Sequence, residues 1–250
     1  IWDVGGRLVG FFDLQGRTDS AIARSEAHAA WLGGTRGRLA ELQERVNAIA
    51  LYPRAGRTRR ARVVLDSLRA ELEHPLSLFI PIGEALLYRE LGDGAALEAK
   101  VPEARQLYDE FGLTALDWIM FYLGGEALRM QGNCEAAVPL YEQAARGMQP
   151  GMVGVTDVSL GGSPLLGLGM CYGVLGRQGE AAAAFDEALK RVPADARTRY
   201  QLALLFQDMG RSEEALAHLR GVAHVWRNAD PSHALAAEAR ARLADWEGRN

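Results

Sequence analysis

Apolar residues recur along most of the chain at intervals of three and four residues, the spacing that places side chains on one face of an α-helix. Leu168 and Tyr172 share such a face, and Phe185 and Ala188 share another. A helix with one apolar face cannot bury that face alone, so it must pack against other helices. The pattern therefore predicts an all-α protein in which helices stack on their neighbours in sequence.

Six glycines follow apolar stretches and mark the points where these helices should turn. They are Gly16, Gly56, Gly92, Gly132, Gly176 and Gly210. Four residues before each glycine stands a large side chain: Phe12, Tyr52, Tyr88, Leu128, Tyr172 and Phe206. Five residues after it stands alanine in five of the six cases. Small residues allow helices to approach closely and glycine permits a tight turn, so the pattern predicts about six helical hairpins.

The distances between these glycines vary along the chain. They are 40, 36, 40, 44 and 34 residues, so the earlier units need extended helices or connections. A glycine-rich insertion at 147–163 supplies most of the longest spacing, and it either gates a binding surface or only connects two helices. After the last hairpin, an apolar pattern behind Pro231 predicts a capping helix at about 232–247. We expect one array over residues 1–250.

Around Gly176 the chain resembles the tetratricopeptide repeat (TPR) family. Eight signature positions carry the resemblance: Leu165, Leu168, Gly169, Tyr172, Ala181, Phe185, Ala188 and Pro193. The resemblance implies a right-handed α-solenoid of hairpins that binds other proteins. The longer units, with the run at 74–77 that reads His-Pro-Leu-Ser, also resemble helical sensor arms of bacterial multidomain signalling proteins, such as signalling ATPases, cyclases and LuxR-type regulators.

The TPR resemblance also implies where a partner would bind. In that family, residues 13, 10, 6 and 3 before the turn glycine line a concave groove. The predicted partner-binding groove contains Ile82, Leu86, Arg89, Tyr122, Glu126, Arg129, Leu166, Met170, Tyr200, Leu204 and Gln207. Such a mostly apolar groove suits an extended peptide or a helix. The alternative, that these side chains only pack on neighbouring repeats, stays open.

A run of arginines stands at the second predicted turn: Arg54, Arg57, Arg59, Arg60 and Arg62. Arginines at the start of a helix oppose the helix dipole, so the run could form an anion patch that binds phosphate or an acidic partner. The alternative is an ordinary solvated basic face.

Other kinds of chemistry find little support in the sequence. The net charge of −4 argues against nucleic acid as a partner, and the longest apolar runs are too short to cross a bilayer. We find no catalytic motif, metal-ligand spacing or cofactor motif. Cys134 and Cys171 are too few for a disulfide framework, so we expect free thiols in a reducing compartment, the cytoplasm, with the periplasm kept as an alternative. Cys171 is expected to be a small buried hydrophobic residue and Cys134 to be the more exposed.

The sequence thus predicts a non-catalytic scaffold or regulatory arm. Its groove would hold a peptide, a helix or a neighbouring domain of the same chain. The last possibility is included because the sequence opens at Ile1 without a methionine, so we expect it to be a fragment of a longer protein. The alternative function is a small-ligand sensor whose pocket lies over Tyr122, Met170 and Tyr200. The pattern makes no prediction of oligomeric state.

Overall fold

The structure, a computed structural model, describes residues 4–112, 117–148 and 164–249. Every regular element in these ranges is a helix, which confirms the all-α prediction. The α-helices are α1 Val4–Leu14, α2 Thr18–Thr35, α3 Arg38–Asn47, α4 Leu51–Arg54, α5 Thr58–Glu71, α6 Phe79–Leu91, α7 Gly94–Glu110, α8 Asp117–Met130, α9 Cys134–Gly147, α10 Pro164–Val174, α11 Gln178–Arg191, α12 Ala196–Asp208, α13 Ser212–Val225 and α14 Ala234–Arg249. Short 3₁₀ turns at Ala48–Ala50 and Leu76–Leu78 lead into α4 and α6. Helices that follow each other in sequence pack together.

The six predicted turn glycines join the helices in pairs through one repeated geometry. Each has φ between 71° and 79°, a left-handed conformation that glycine adopts without steric cost. The amide of the residue after the glycine donates to the carbonyl five residues earlier, as from Arg177 to Tyr172 at 2.8 Å and from Arg57 to Tyr52 at 2.7 Å. This bond satisfies a carbonyl at the end of the first helix and begins the second.

The large side chain before each glycine also has a repeated role in several turns. The guanidinium of Arg177 lies 4.2 Å from the centre of the Tyr172 ring, and that of Arg211 lies 4.1 Å from the Phe206 ring. Arg17 stands over the Phe12 ring in the same way. In these three turns, the arginine after the glycine therefore covers the ring that precedes the turn.

Small residues bring paired helices into close contact, as their spacing predicts. A β-carbon added to Gly169 would lie 2.5 Å from the Phe185 ring, and one added to Gly125 would lie 3.0 Å from the Tyr141 ring. The distance at Gly169 is shorter than real side-chain contacts allow, so only glycine fits there without a shift, and the distance at Gly125 is tighter than most real contacts. The ring and the small residue of each pair thus fill one another's space.

The first and last parts of the chain are in contact. The indole nitrogen of Trp226 donates to the carbonyl of Leu14 at 3.1 Å, and the amide of Asp230 donates to the carbonyl of Gly16 at 2.9 Å. The Asp230 carboxylate accepts the amide of Asp19 at 2.7 Å. It therefore caps the start of α2, because the side chain of the N-cap residue, Arg17, forms no capping bond.

The expectation that Cys134 is the more exposed cysteine and a free thiol is wrong. Cys134 and Cys171 form a disulfide and are both buried, with their Cα atoms 5.0 Å apart, because α10 packs on α9 where Cys134 begins that helix. Cys171 is buried as expected, whereas Cys134 is neither exposed nor a free thiol.

Candidate functional site

Four helices direct charged side chains into one buried group, which we call the inner cluster: Asp13 of α1, Arg54 of α4, Arg89 and Glu90 of α6, and Arg197 of α12. Arg54 donates to Asp13 at 2.8 Å and to both carboxylate oxygens of Glu90 at 2.8 and 2.9 Å. Arg89 donates to Glu90 as well, and Arg197 reaches Asp13 at 3.4 Å. The cluster therefore connects the first, second, third and last helix pairs.

Burial makes the pairing within this cluster important. Asp13 and Arg89 are each 5% exposed, and an isolated charge at such a depth would be strongly unfavourable. Burial alone would raise the pKa of Glu90, but the guanidinium groups of Arg54 and Arg89 outweigh burial and hold that pKa well below its usual range. Glu90 is thus ionised at neutral pH and acts as an ion-pair partner rather than as a proton donor.

A second polar group lies on α8 and α9 next to the inner cluster. Arg129 donates to both oxygens of Glu126 at 3.2 and 3.0 Å and to the hydroxyl of Tyr141 at 3.2 Å, while that hydroxyl donates to Glu126. Burial and the Glu126 carboxylate both raise the pKa of Tyr141. The Tyr122 ring lies 6.3 Å from the Tyr141 ring. Burial raises the pKa of Tyr122 first, and Glu126 adds to the rise.

The last helix covers a third part of the predicted groove. The hydroxyl of Tyr200 donates to the carboxylate of Glu238 at 2.6 Å and accepts a bond from Arg242 at 3.0 Å. Tyr200 is 2% exposed as a result. Helix α14 is therefore held against Tyr200 of α12 by the hydrogen bonds of Glu238 and Arg242.

Most of the residues predicted to line the partner-binding groove are buried in the fold and not accessible to a partner. Seven are buried: Ile82, Leu86, Arg89, Tyr122, Glu126, Leu166 and Tyr200. Arg129, Met170 and Leu204 are half-buried, and Gln207 is exposed. The region that was expected to be mostly apolar also contains buried ion pairs, such as that between Arg54 and Glu90. The spacing rule did not select these two residues, because each stands two positions before its turn glycine. Applied to the first turn, the same spacing rule does select Asp13, which stands three residues before Gly16.

The predicted arginine patch separates into two sets. The Arg54 side chain is only 7% exposed and belongs to the inner cluster. Arg57, Arg59, Arg60 and Arg62 are exposed around the start of α5. Of the predicted insertion at 147–163, residues 149–163 lie outside the part of the chain that the structure describes.

Comparisons with known proteins add no identity. No protein-family model matches the chain, and no curated protein matches it either. Within the described ranges, no helix is both long and apolar enough to cross a membrane. The same ranges contain no group of three or more histidine, cysteine or acidic side chains placed to hold a metal ion.

Proposed function

We propose that this chain is a non-catalytic protein-interaction scaffold: a right-handed, TPR-like solenoid of six helix pairs with α14 as its capping helix. The observation that carries the proposal is the repeated turn, a left-handed glycine with the same backbone bond at six places. The close approach of Gly169 to Phe185 supports it, because both belong to the TPR-like signature. Stacked units of this kind characteristically present extended binding surfaces.

The partner would contact the inner residues that remain accessible. Met170 and Leu204 both stand six residues before their turn glycines, on α10 and α12, and both are half-buried. Arg129 and Gln207 add polar groups to this stripe. We propose a peptide, a helix or a neighbouring domain of the same protein as the partner, since apolar contacts with a few polar ones suit such ligands.

The small-ligand alternative makes a different structural demand. A pocket over Tyr122 and Tyr200 would require both rings to leave positions in which they are 3% and 2% exposed. Tyr200 would also have to give up its bonds to Glu238 and Arg242. The accessible stripe makes no such demand, so we favour the scaffold. The buried disulfide favours an oxidising compartment such as the periplasm over the cytoplasm.

Site-specific photocrosslinking tests this proposal. A photoreactive phenylalanine analogue replaces Met170 or Leu204, and a matched control carries it at Ala183, an exposed position on α11. Irradiation in lysate of the source cells, followed by mass spectrometry, should give the same crosslinked protein from both inner positions and not from the control. Purified partner should then bind the unmodified chain, and Leu204→Asp should weaken that binding. Equal crosslinking at Ala183, or none at either inner position, would contradict the proposal.

A further inference from the structure

An open cleft lies between α2 and α5. Its larger part has a volume of about 560 Å³ and an apolar base formed by Ile22 and Ala23 of α2 and Val63 of α5. Val63 is 50% exposed there, although it stands on a helix that buries leucines on its other side. The volume lies within the range of about 300 to 1,000 Å³ typical of small-molecule sites.

The cleft continues along both helices beyond this larger part. A second region of about 340 Å³ shares Glu26, Tyr52, Arg60 and Val63 with the first and extends to Ala30. From Asp19 to Ala30 the cleft follows about 16 Å of α2, at a rise of about 1.5 Å per residue. It is therefore long enough for a chain-like ligand. Ala29, Ala30, Ala48 and Val64 give the second region an apolar lining, and Glu41 and Arg45 also border it.

Positive charge collects at one end of this cleft. Arg57, Arg59 and Arg60 line it at the start of α5, where the backbone amides and the helix dipole are positive as well. The first turn of α5 contains no acidic residue, and the side chain of its N-cap residue, Arg57, does not cap the helix. Placing three arginines there is a local electrostatic conflict, and such conflicts are expected at functional sites.

The charges that oppose these arginines are exposed and weakly held. Arg57 pairs with Asp19 at 2.8 Å, with both side chains about half exposed, and Arg60 lies 4.0 Å from Glu26. Arg59 forms no ion pair or side-chain hydrogen bond with the part of the chain that the structure describes. Exposed pairs of this kind contribute little, so an incoming anion can replace them.

Glu26 is held in the cleft by a neutral partner. The Tyr52 hydroxyl donates to it at 2.9 Å, and burial together with this carboxylate raises the pKa of Tyr52 to about 12. The tyrosine is therefore protonated at neutral pH, and its hydroxyl orients Glu26 through a hydrogen bond without changing the charge of that carboxylate. The basic end and the apolar base remain to select a ligand.

We infer that the α2–α5 cleft binds a small amphipathic anion, with its phosphate or carboxylate head at Arg57, Arg59 and Arg60 and its apolar chain along Ala23 and Val63. The inference goes beyond the proposed scaffold, since the cleft lies between the second helices of two pairs and the partner stripe lies on first helices. A single chain would then respond to a metabolite at one site and hold a protein at another.

Isothermal titration calorimetry with n-octyl phosphate tests the site. The unmodified chain should bind octyl phosphate below its micellar concentration, and the double variant Arg59→Gln, Arg60→Gln should bind at least tenfold more weakly. Arg62→Gln is the matched control, because Arg62 is exposed on the same helix but does not line the cleft. Its affinity should stay within twofold. Circular dichroism confirms that each variant is folded.

Two further ligands separate the contributions of head and chain. Inorganic phosphate should bind more weakly than octyl phosphate and at the same arginines, and octyl glucoside, which lacks the charge, should bind more weakly still. No binding of octyl phosphate at millimolar concentration, or equal binding to the double variant, would overturn the inference. If octyl phosphate failed but an acidic amphipathic peptide bound through these arginines, the cleft would be a protein-docking site and the small-ligand inference would be wrong.

Discussion

Replacing Asp13 by asparagine should reveal how strongly the inner cluster holds the two ends of the chain together. Asp13 is 5% exposed and accepts from Arg54 of the second helix pair and Arg197 of the last. Removing one member of a buried ion pair costs about 3 to 5 kcal/mol, because its partner stays buried without compensation. Arg54 keeps its two bonds to Glu90, so we expect the lower end of that range, about 3 kcal/mol.

Urea unfolding followed by circular dichroism measures this change. Arg197→Gln should cost less than Asp13→Asn, since the Arg197 side chain is 20% exposed. The double variant should lose less than the sum of the two single variants, with a coupling of about 0.5 to 3 kcal/mol. Asp66→Asn is the matched control: the same substitution in an ion pair with Arg69 that is mostly exposed, expected to change stability by less than about 0.5 kcal/mol.

The reasoning would be refuted by a small effect at the buried site. If Asp13→Asn destabilised the chain no more than Asp66→Asn, the inner cluster would not stabilise the fold through its charges. If the effects of Asp13→Asn and Arg197→Gln were additive, the contact between the first and last helix pairs would carry no energy of its own.

Three other perturbations have defined outcomes. Burial, followed by the charge of Arg197, lowers the pKa of His233 below 6.5. As the pH falls below about 6.5, the imidazole is protonated in the unfolded chain before it is protonated in the folded one, so the free energy of unfolding should decrease. His233→Asn keeps an acceptor for the Ala236 amide and should reduce this pH dependence, measured by urea titrations at several pH values. Reduction of Cys134–Cys171, which closes a separation of 37 residues, should lower the unfolding free energy by about 4 kcal/mol, and mass spectrometry after alkylation should show both thiols blocked only after reduction. Gly169→Ala should cost about 1 to 3 kcal/mol in thermal unfolding through contact with a ring, whereas Gly173→Ala on the same helix, where a β-carbon meets nothing, should be neutral or slightly stabilising.

The positions of the turns were predictable because they depend on local chemistry. A left-handed turn needs glycine whatever surrounds it, so Gly16 and Gly210 marked their turns from the sequence alone. The small residue at Gly169 likewise predicted a close contact with a ring, that of Phe185, which stands nine residues after the turn glycine Gly176. Regular spacing carried this information, since each contact lies within one pair of helices.

Contacts between distant parts of the chain left no such signal. Nothing near Asp13 in the sequence indicates Arg197, which lies 184 residues away, and nothing near Cys134 distinguishes a disulfide from a free thiol. These pairings depend on how far successive helix pairs rotate relative to one another, which spacing does not encode. For the same reason, the rule that selected groove positions could not show that Tyr200 is covered by α14.

The contact between Asp230 and the start of α2 limits how this protein could have evolved. An open repeat array tolerates duplication or loss of a unit, because each unit meets only its neighbours. Here the carboxylate of Asp230 must reach the amide of Asp19, and the amide of Asp230 must reach Gly16. An inserted or deleted pair of helices would carry these groups to another place and leave α2 without its cap. The contact therefore makes the length of chain between α2 and Asp230 part of the fold, so substitutions there should be tolerated more readily than the gain or loss of helices.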